Sequence, residues 1–86
     1  MYYVYILYSK KDKKLYVGYT NDLRSRYIEH QKGLVKSTKH RRPLKLIYYE
    51  AYISESNARR RELFYKSGRG RETLKKILEE TFLDIK

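Results

Sequence analysis

The sequence predicts an α+β fold: a small three-stranded, mainly antiparallel sheet flanked by helices, in the order β-β-α-β-α-α. Three observations carry that expectation. Residues 2–8 and 14–19 are short runs rich in aromatic and aliphatic side chains, joined by the polar turn Ser9-Lys10-Lys11-Asp12-Lys13, which is a hairpin pattern. Residues 44–52 repeat leucine, isoleucine and tyrosine at strand spacing just after the only proline, Pro43. Cap residues bracket the polar stretches between and after these runs.

Taken in order, the first strand carries Tyr3-Val4-Tyr5 and the second carries Tyr16-Val17-Gly18. Asn21 is placed to cap a helix that begins at Asp22, whose acid suits the positive end of the helix dipole, and that runs to about Lys32. Gly33 is placed to close it. A basic loop over residues 36–42 leads through Pro43 into the third strand. Ser54 caps a second helix over residues 55–66, with Gly68 as its C-terminal glycine, and residues 71–80 form the last helix. There is no internal repeat, low-complexity tract or long linker, so residues 1–86 read as one domain.

At 86 residues the chain buries only about two thirds of its unfolded surface. Its 21 Lys and Arg against 10 Asp and Glu give a formal charge of +11, which favours a polyanionic partner, nucleic acid first. A membrane surface is the weaker partner, because the basic residues do not gather beside a long amphipathic helix. The absence of cysteine excludes disulfides, zinc ribbons and thiol nucleophiles. Residues 2–8 are far short of the roughly 20 that span a bilayer and lack a basic leader, so a cytoplasmic location is expected. Eleven tyrosines and no tryptophan give an aromatic surface whose hydroxyls can bond or titrate.

Hydrolysis of a phosphodiester needs an activated water, neutralisation of phosphate charge, and a cation or its equivalent at the leaving oxygen. Arg26 and His30 lie four residues apart, on one helical face, where a guanidinium can grip phosphate beside an imidazole. Glu62 offers a metal-binding carboxylate. Tyr3, Tyr8, Tyr48 and Tyr49 read as ordinary strand residues, and Glu62 can also be read as relieving repulsion among Arg59, Arg60 and Arg61. The lysine and arginine clusters exceed what solubility requires, so Lys14, Lys39, Arg41, Arg42 and Arg59 are candidate phosphate contacts.

Taken together, these residues resemble the GIY-YIG nuclease domain of the small single-domain bacterial type, over nearly the whole chain. The signatures align on Tyr3-Val4-Tyr5 and Tyr16-Val17-Gly18. Tyr16 follows Tyr5 by eleven positions, Arg26 follows by ten more and His30 by a further four. Thr20-Asn21-Asp22-Leu23 and the segment around Glu62 match as well. The first signature has Tyr3 for glycine and the second Val17 for isoleucine, and the last asparagine, Asn57, precedes Glu62.

The resemblance implies a metal-dependent DNA endonuclease in repair or recombination, akin to the nuclease domain of the excision-repair incision protein and to structure-specific endonucleases. It implies that Glu62 holds one Mg²⁺ or Mn²⁺ at the departing oxygen, that Arg26 stabilises the pentavalent transition state, and that Tyr16, helped by Tyr5 or His30, orients and deprotonates water. Gly18 lets the second strand approach the site, and Lys66, one turn after Glu62, adds a phosphate contact. DNA is the expected substrate, with RNA as another, and a partner subunit is a possible source of specificity. The alternative is a non-catalytic module that stacks bases on tyrosines and grips backbone with Lys and Arg.

Overall fold

The computed structural model describes residues 1–85. Strands β1 (Tyr2–Ser9), β2 (Leu15–Thr20) and β3 (Leu44–Tyr52) form one antiparallel sheet in the order β2-β1-β3. Helix α1 (Leu23–Gln31) and a 3₁₀ turn (Lys39–Arg41) separate β2 from β3, and α2 (Glu55–Lys66), α3 (Gly68–Ile77) and α4 (Glu79–Asp84) follow. This is the expected α+β arrangement with one short helix more than expected. Among the described residues, no helix is long and apolar enough to cross a membrane.

The hairpin closes through Ser9 and Lys14, with Lys13 at φ 63° and the Asp12 side chain accepting the Lys14 N–H, so Lys14 sits in the turn and β2 begins at Leu15. Asp22, not Asn21, caps α1: its carboxylate accepts from the Ser25 N–H at 3.1 Å. Gly33 closes the helix as expected, at φ +77°, with its N–H donating to the His30 carbonyl. Ser54 caps α2 through the Asn57 N–H.

The end of α2 differs from the sequence expectation. Ser67, in extended backbone, stops α2 by donating its N–H to the Phe64 carbonyl, and its hydroxyl caps α3 through the Gly70 N–H at 3.1 Å. Gly68 therefore opens α3 instead of ending α2, and α3 starts three residues earlier than the expected 71. Gly70 is needed for close approach of the two helices, since a Cβ there would overlap the Phe64 carbonyl and lie 2.7 Å from the Tyr65 Cα. The expected helix over 71–80 is broken at Leu78, which is buried and separates α3 from α4.

The sheet is covered on both faces. Val4, Ile6 and Val17 pack with Ala58, Tyr65, Leu74 and Leu78 of the α2–α4 layer. Tyr5, Leu7 and Leu44 pack with Tyr16, Leu23, Tyr27 and Leu46 on the α1 side. Strand alternation explains the split in β1 and β2. In β3 a register shift pairs Ile6 with Tyr48 but Leu7 with Leu46, leaving Ile47 as an extra residue. That bulge inverts the alternation: Leu44 and Leu46 face α1, whereas Tyr48, Glu50 and Tyr52 face α2.

Candidate active site

The α1 face of the sheet brings Tyr5, Tyr16, Arg26 and His30 together. Tyr5 stands opposite Gly18 in the β1–β2 register, and its ring lies over that glycine, where a Cβ would come within 2.6 Å of its Cε1. The Tyr5 hydroxyl bonds His30 Nε2 at 2.7 Å, and both residues are about fully buried, at 1% and 0% exposure. The Tyr16 ring packs at an angle on Tyr5, with centroids 6.3 Å apart, and edge-on to His30 at 5.2 Å. Tyr16 is only half-buried, and its hydroxyl accepts from Ser37 Oγ at 3.4 Å. Arg26 forms an ion pair with Glu29 at 3.1 Å, and its charge acts on the Tyr5 phenol.

Helix periodicity explains this convergence. Leu23, Tyr27 and His30 point α1 at the sheet, and Arg26, one turn before His30, sits at the border of that face. Burial then sets the protonation states. It pushes the Tyr5 phenol up to about 12, against the opposing pull of the Arg26 guanidinium, with Tyr16 and Glu62 raising it further. Burial also pushes His30 down to about 4, and the Arg26 charge adds to the shift. At neutral pH the pair is thus a phenol against an uncharged imidazole.

Glu62 comes from the other helical layer. Its side chain is 13% exposed, accepts from Lys66 Nζ at 2.8 Å and forms a longer ion pair with Arg59 at 3.6 Å. Its charge reaches Tyr5 as a minor influence. The link between the layers is a groove past the end of the edge strand β2, lined by Tyr19, Arg26, Glu29, Glu55 and Arg59 among others. Arg59 lies over the Tyr19 ring at 3.7 Å, and the Tyr19 hydroxyl donates to Glu55. Among the described residues, no three His, Cys, Asp or Glu side chains gather as a metal cluster.

The basic candidates divide by what holds them. Arg41 is tied into the fold: Nε meets Asp12 Oδ2 at 2.6 Å, and the guanidinium also donates to the Leu15 carbonyl. Arg42 folds over Gly33 and donates to the carbonyls of Lys39 and Gln31 at the end of α1. Arg59 and Lys66 flank Glu62, while Lys14 and Lys39 project as exposed side chains.

Sequence reading missed three participants. Ser37 touches Tyr16, and the buried Thr38 hydroxyl bonds His30 Nδ1 at 2.7 Å. On the opposite face, Glu50 accepts from Tyr48 and Tyr52, from Tyr65 of α2 and from Arg61 Nε. The i±2 spacing of Tyr48 and Tyr52 about Glu50 was a visible signal, whereas the partners from α2 and the loop were not.

Residues 1–76 match the GIY-YIG catalytic domain family. A UPF0213 protein of Staphylococcus haemolyticus is 43% identical over 79 residues, covering 91% of this chain and 95% of its own. One from Clostridium perfringens is 43% identical over 67 residues, covering 77% and 71%. The solution structure of the UPF0213 protein BH0048 from Bacillus halodurans superposes with a TM-score of 0.57 at 38% identity, covering 90% of this chain and 85% of that one. The match spans both strands that carry the tyrosines, the helix that carries Arg26 and His30, and the helix that carries Glu62, so the chain belongs to the GIY-YIG catalytic domain family.

Proposed function

We propose that this protein is a metal-dependent endonuclease that hydrolyses phosphodiester bonds of DNA in repair or recombination, acting in the cytoplasm. The observation that carries the reading is the convergence of Tyr5, Tyr16, Arg26 and His30 on one face of a chain of charge +11.

The roles follow from accessibility. His30 is buried with both ring nitrogens engaged, and Tyr5 is buried with its proton firmly held, so neither meets the attacking water. Tyr16 is the hydroxyl open to substrate, and once it has given its own proton to solvent it orients the water and takes its proton. Arg26 supplies charge to the phosphate oxygens as the transition state forms, and Arg59 and Lys66 hold the flanking backbone. Exposed Lys14 and Lys39 add long-range attraction.

One carboxylate suits Mg²⁺ or Mn²⁺, which keep several waters and complete their shells with phosphate oxygens. When bound, the ion supplies Lewis-acid stabilisation of the leaving oxygen. Glu62 is the residue that holds it, and Lys66 exchanges its contact with Glu62 for one with phosphate. The small surface leaves room for a partner subunit that adds specificity.

The test offers labelled single-stranded, duplex and branched DNA, and a matched RNA, to the parent and to Glu62→Gln at low salt with Mg²⁺ or Mn²⁺. Metal-dependent cutting is expected in the parent and not in the variant, with binding unchanged or slightly tighter in the variant. Tight binding without cutting by the parent favours the non-catalytic module, a reading consistent with the two cations that already hold Glu62. Equal cutting by both proteins removes Glu62 from the mechanism.

A further inference from the structure

Thr38 stands at the start of the 3₁₀ turn, where a threonine hydroxyl ordinarily bonds a backbone N–H of the turn it caps. Here it makes no such bond. The hydroxyl is directed instead to His30 Nδ1 at 2.7 Å, and the residue has 0% exposure. The backbone fixes it there: the Thr38 N–H donates to the Val35 carbonyl and the Thr38 carbonyl accepts from Arg41, which the Asp12 pair anchors to the β-hairpin.

The hydrogen bonds form one chain, Thr38–His30–Tyr5, and its direction can be deduced. Of the two hydroxyls on the imidazole, the Tyr5 phenol is the stronger acid, and its hydrogen-bond partner is His30 Nε2. The phenol proton then goes to His30 Nε2. An uncharged imidazole carries one proton, which must lie on Nδ1 and be donated to Thr38 Oγ1. We propose that Thr38 is a positioning residue that holds His30 as the Nδ1–H tautomer, and that this tautomer leaves the Tyr5 oxygen open as an acceptor for the Arg26 guanidinium as it turns toward the phosphate.

The opposite tautomer would aim an Nε2 proton at the Tyr5 oxygen, in competition with Arg26. The guanidinium would then keep Glu29, on its own helix, as its principal partner. Thr38 thus acts on the reaction without touching substrate. The role of Arg26 rests on the endonuclease reading above, whereas the tautomer does not.

The experiment separates the two. Long-range proton–nitrogen correlation spectra of the histidine rings are recorded for the parent, Thr38→Ser and Thr38→Val, and cleavage is measured with the same three proteins. The parent and Thr38→Ser are expected to show His30 protonated on Nδ1, and Thr38→Val to lose that preference. Cleavage at saturating DNA should fall by about tenfold to a hundredfold in Thr38→Val, the range for outer partners that orient a primary ligand. Thr38→Ser should restore it, and DNA affinity should hold steady throughout. A parent ring protonated on Nε2 overturns the proposal even if Thr38→Val fails to fold, and so does an unchanged tautomer in a folded Thr38→Val. Absence of cleavage in the parent counts against the endonuclease reading and leaves the tautomer result to judge Thr38.

Discussion

Gly18→Ala is the sharpest probe of how the site is built. The glycine faces Tyr5 across the β1–β2 pair, and the added Cβ would lie 2.6 Å from Tyr5 Cε1 and closer still to Cζ and the hydroxyl. Tyr5 has nowhere to retreat: it is 1% exposed, bonded to His30 and packed in the α1-side core. Overpacking of this kind costs about 1–3 kcal/mol. Displacing the hydroxyl from His30 forfeits about 0.5–1.5 kcal/mol more. The sum, about 1.5–4.5 kcal/mol, is a large share of the roughly 4–13 kcal/mol expected for a chain of this size. At about 4–8 °C per kcal/mol, the melting temperature should fall by roughly 6–36 °C. Thermal and urea denaturation measure this directly, with Gly68→Ala as the control. A Cβ at Gly68 meets nothing within 4 Å, so that variant should melt at the parent temperature or somewhat above it. A Gly18→Ala protein that melts within about 3 °C of the parent, with its His30 signals unmoved, would refute the close packing of Tyr5 on β2.

Gly70→Ala should be worse than Gly18→Ala, since its Cβ meets the Phe64 and Tyr65 backbone, which cannot rotate aside; denaturant midpoints of the two variants test the order. Arg26→Ala should lower turnover by about 10²–10³ with a modest loss of affinity, and equal losses in single-turnover rate and binding would mark Arg26 as a ground-state contact. His30 should titrate near 4 in an NMR pH series, below its ordinary value near 6.5, and a midpoint above 6 would remove the buried uncharged imidazole. Because the unfolded chain takes up that proton first, stability should fall as pH drops from about 6.5 to 4. The slope should approach 1.4 kcal/mol per pH unit and total about 3 kcal/mol, read from urea midpoints across that range.

What the sequence made legible was whatever repeats locally. The hairpin, the period that turns His30 to the sheet and sets Arg26 beside it, and the caps at Ser54 and Gly33 all depend on neighbours within a few residues. Asp22 displaced Asn21 as cap, because adjacent residues can both serve and backbone geometry chooses between them. Ser67 ending one helix and starting the next hid behind Gly68, which looked like the stronger stop signal. Thr38 and Ser37 were beyond reach, since a hydroxyl in a loop has no spacing that links it to a histidine in a preceding helix. Arg41 looked like one more cation in a basic run, and only its pairing with Asp12, 29 residues away, shows that it fastens the loop.

The β3 bulge connects these parts. Had β3 kept strict alternation, Glu50 would share a face with Leu44 and Leu46, which pack with Tyr5. A carboxylate there would repel phosphate and compete with it for Arg26. The extra residue Ile47 turns Glu50 to the opposite layer, where three phenols and Arg61 satisfy it. Its pull toward the neutral acid by burial is outweighed by those bonds, so Glu50 stays ionised below the usual carboxylate range. Glu62 is left to approach from the rim of β2, already flanked by Arg59 and Lys66. The same displacement that builds the α2-side core therefore also keeps Glu50 away from Tyr5 and Arg26, and the carboxylates nearer the edge, Glu29, Glu55 and Glu62, each meet a donor of their own in Arg26, Tyr19, and the Arg59 and Lys66 pair.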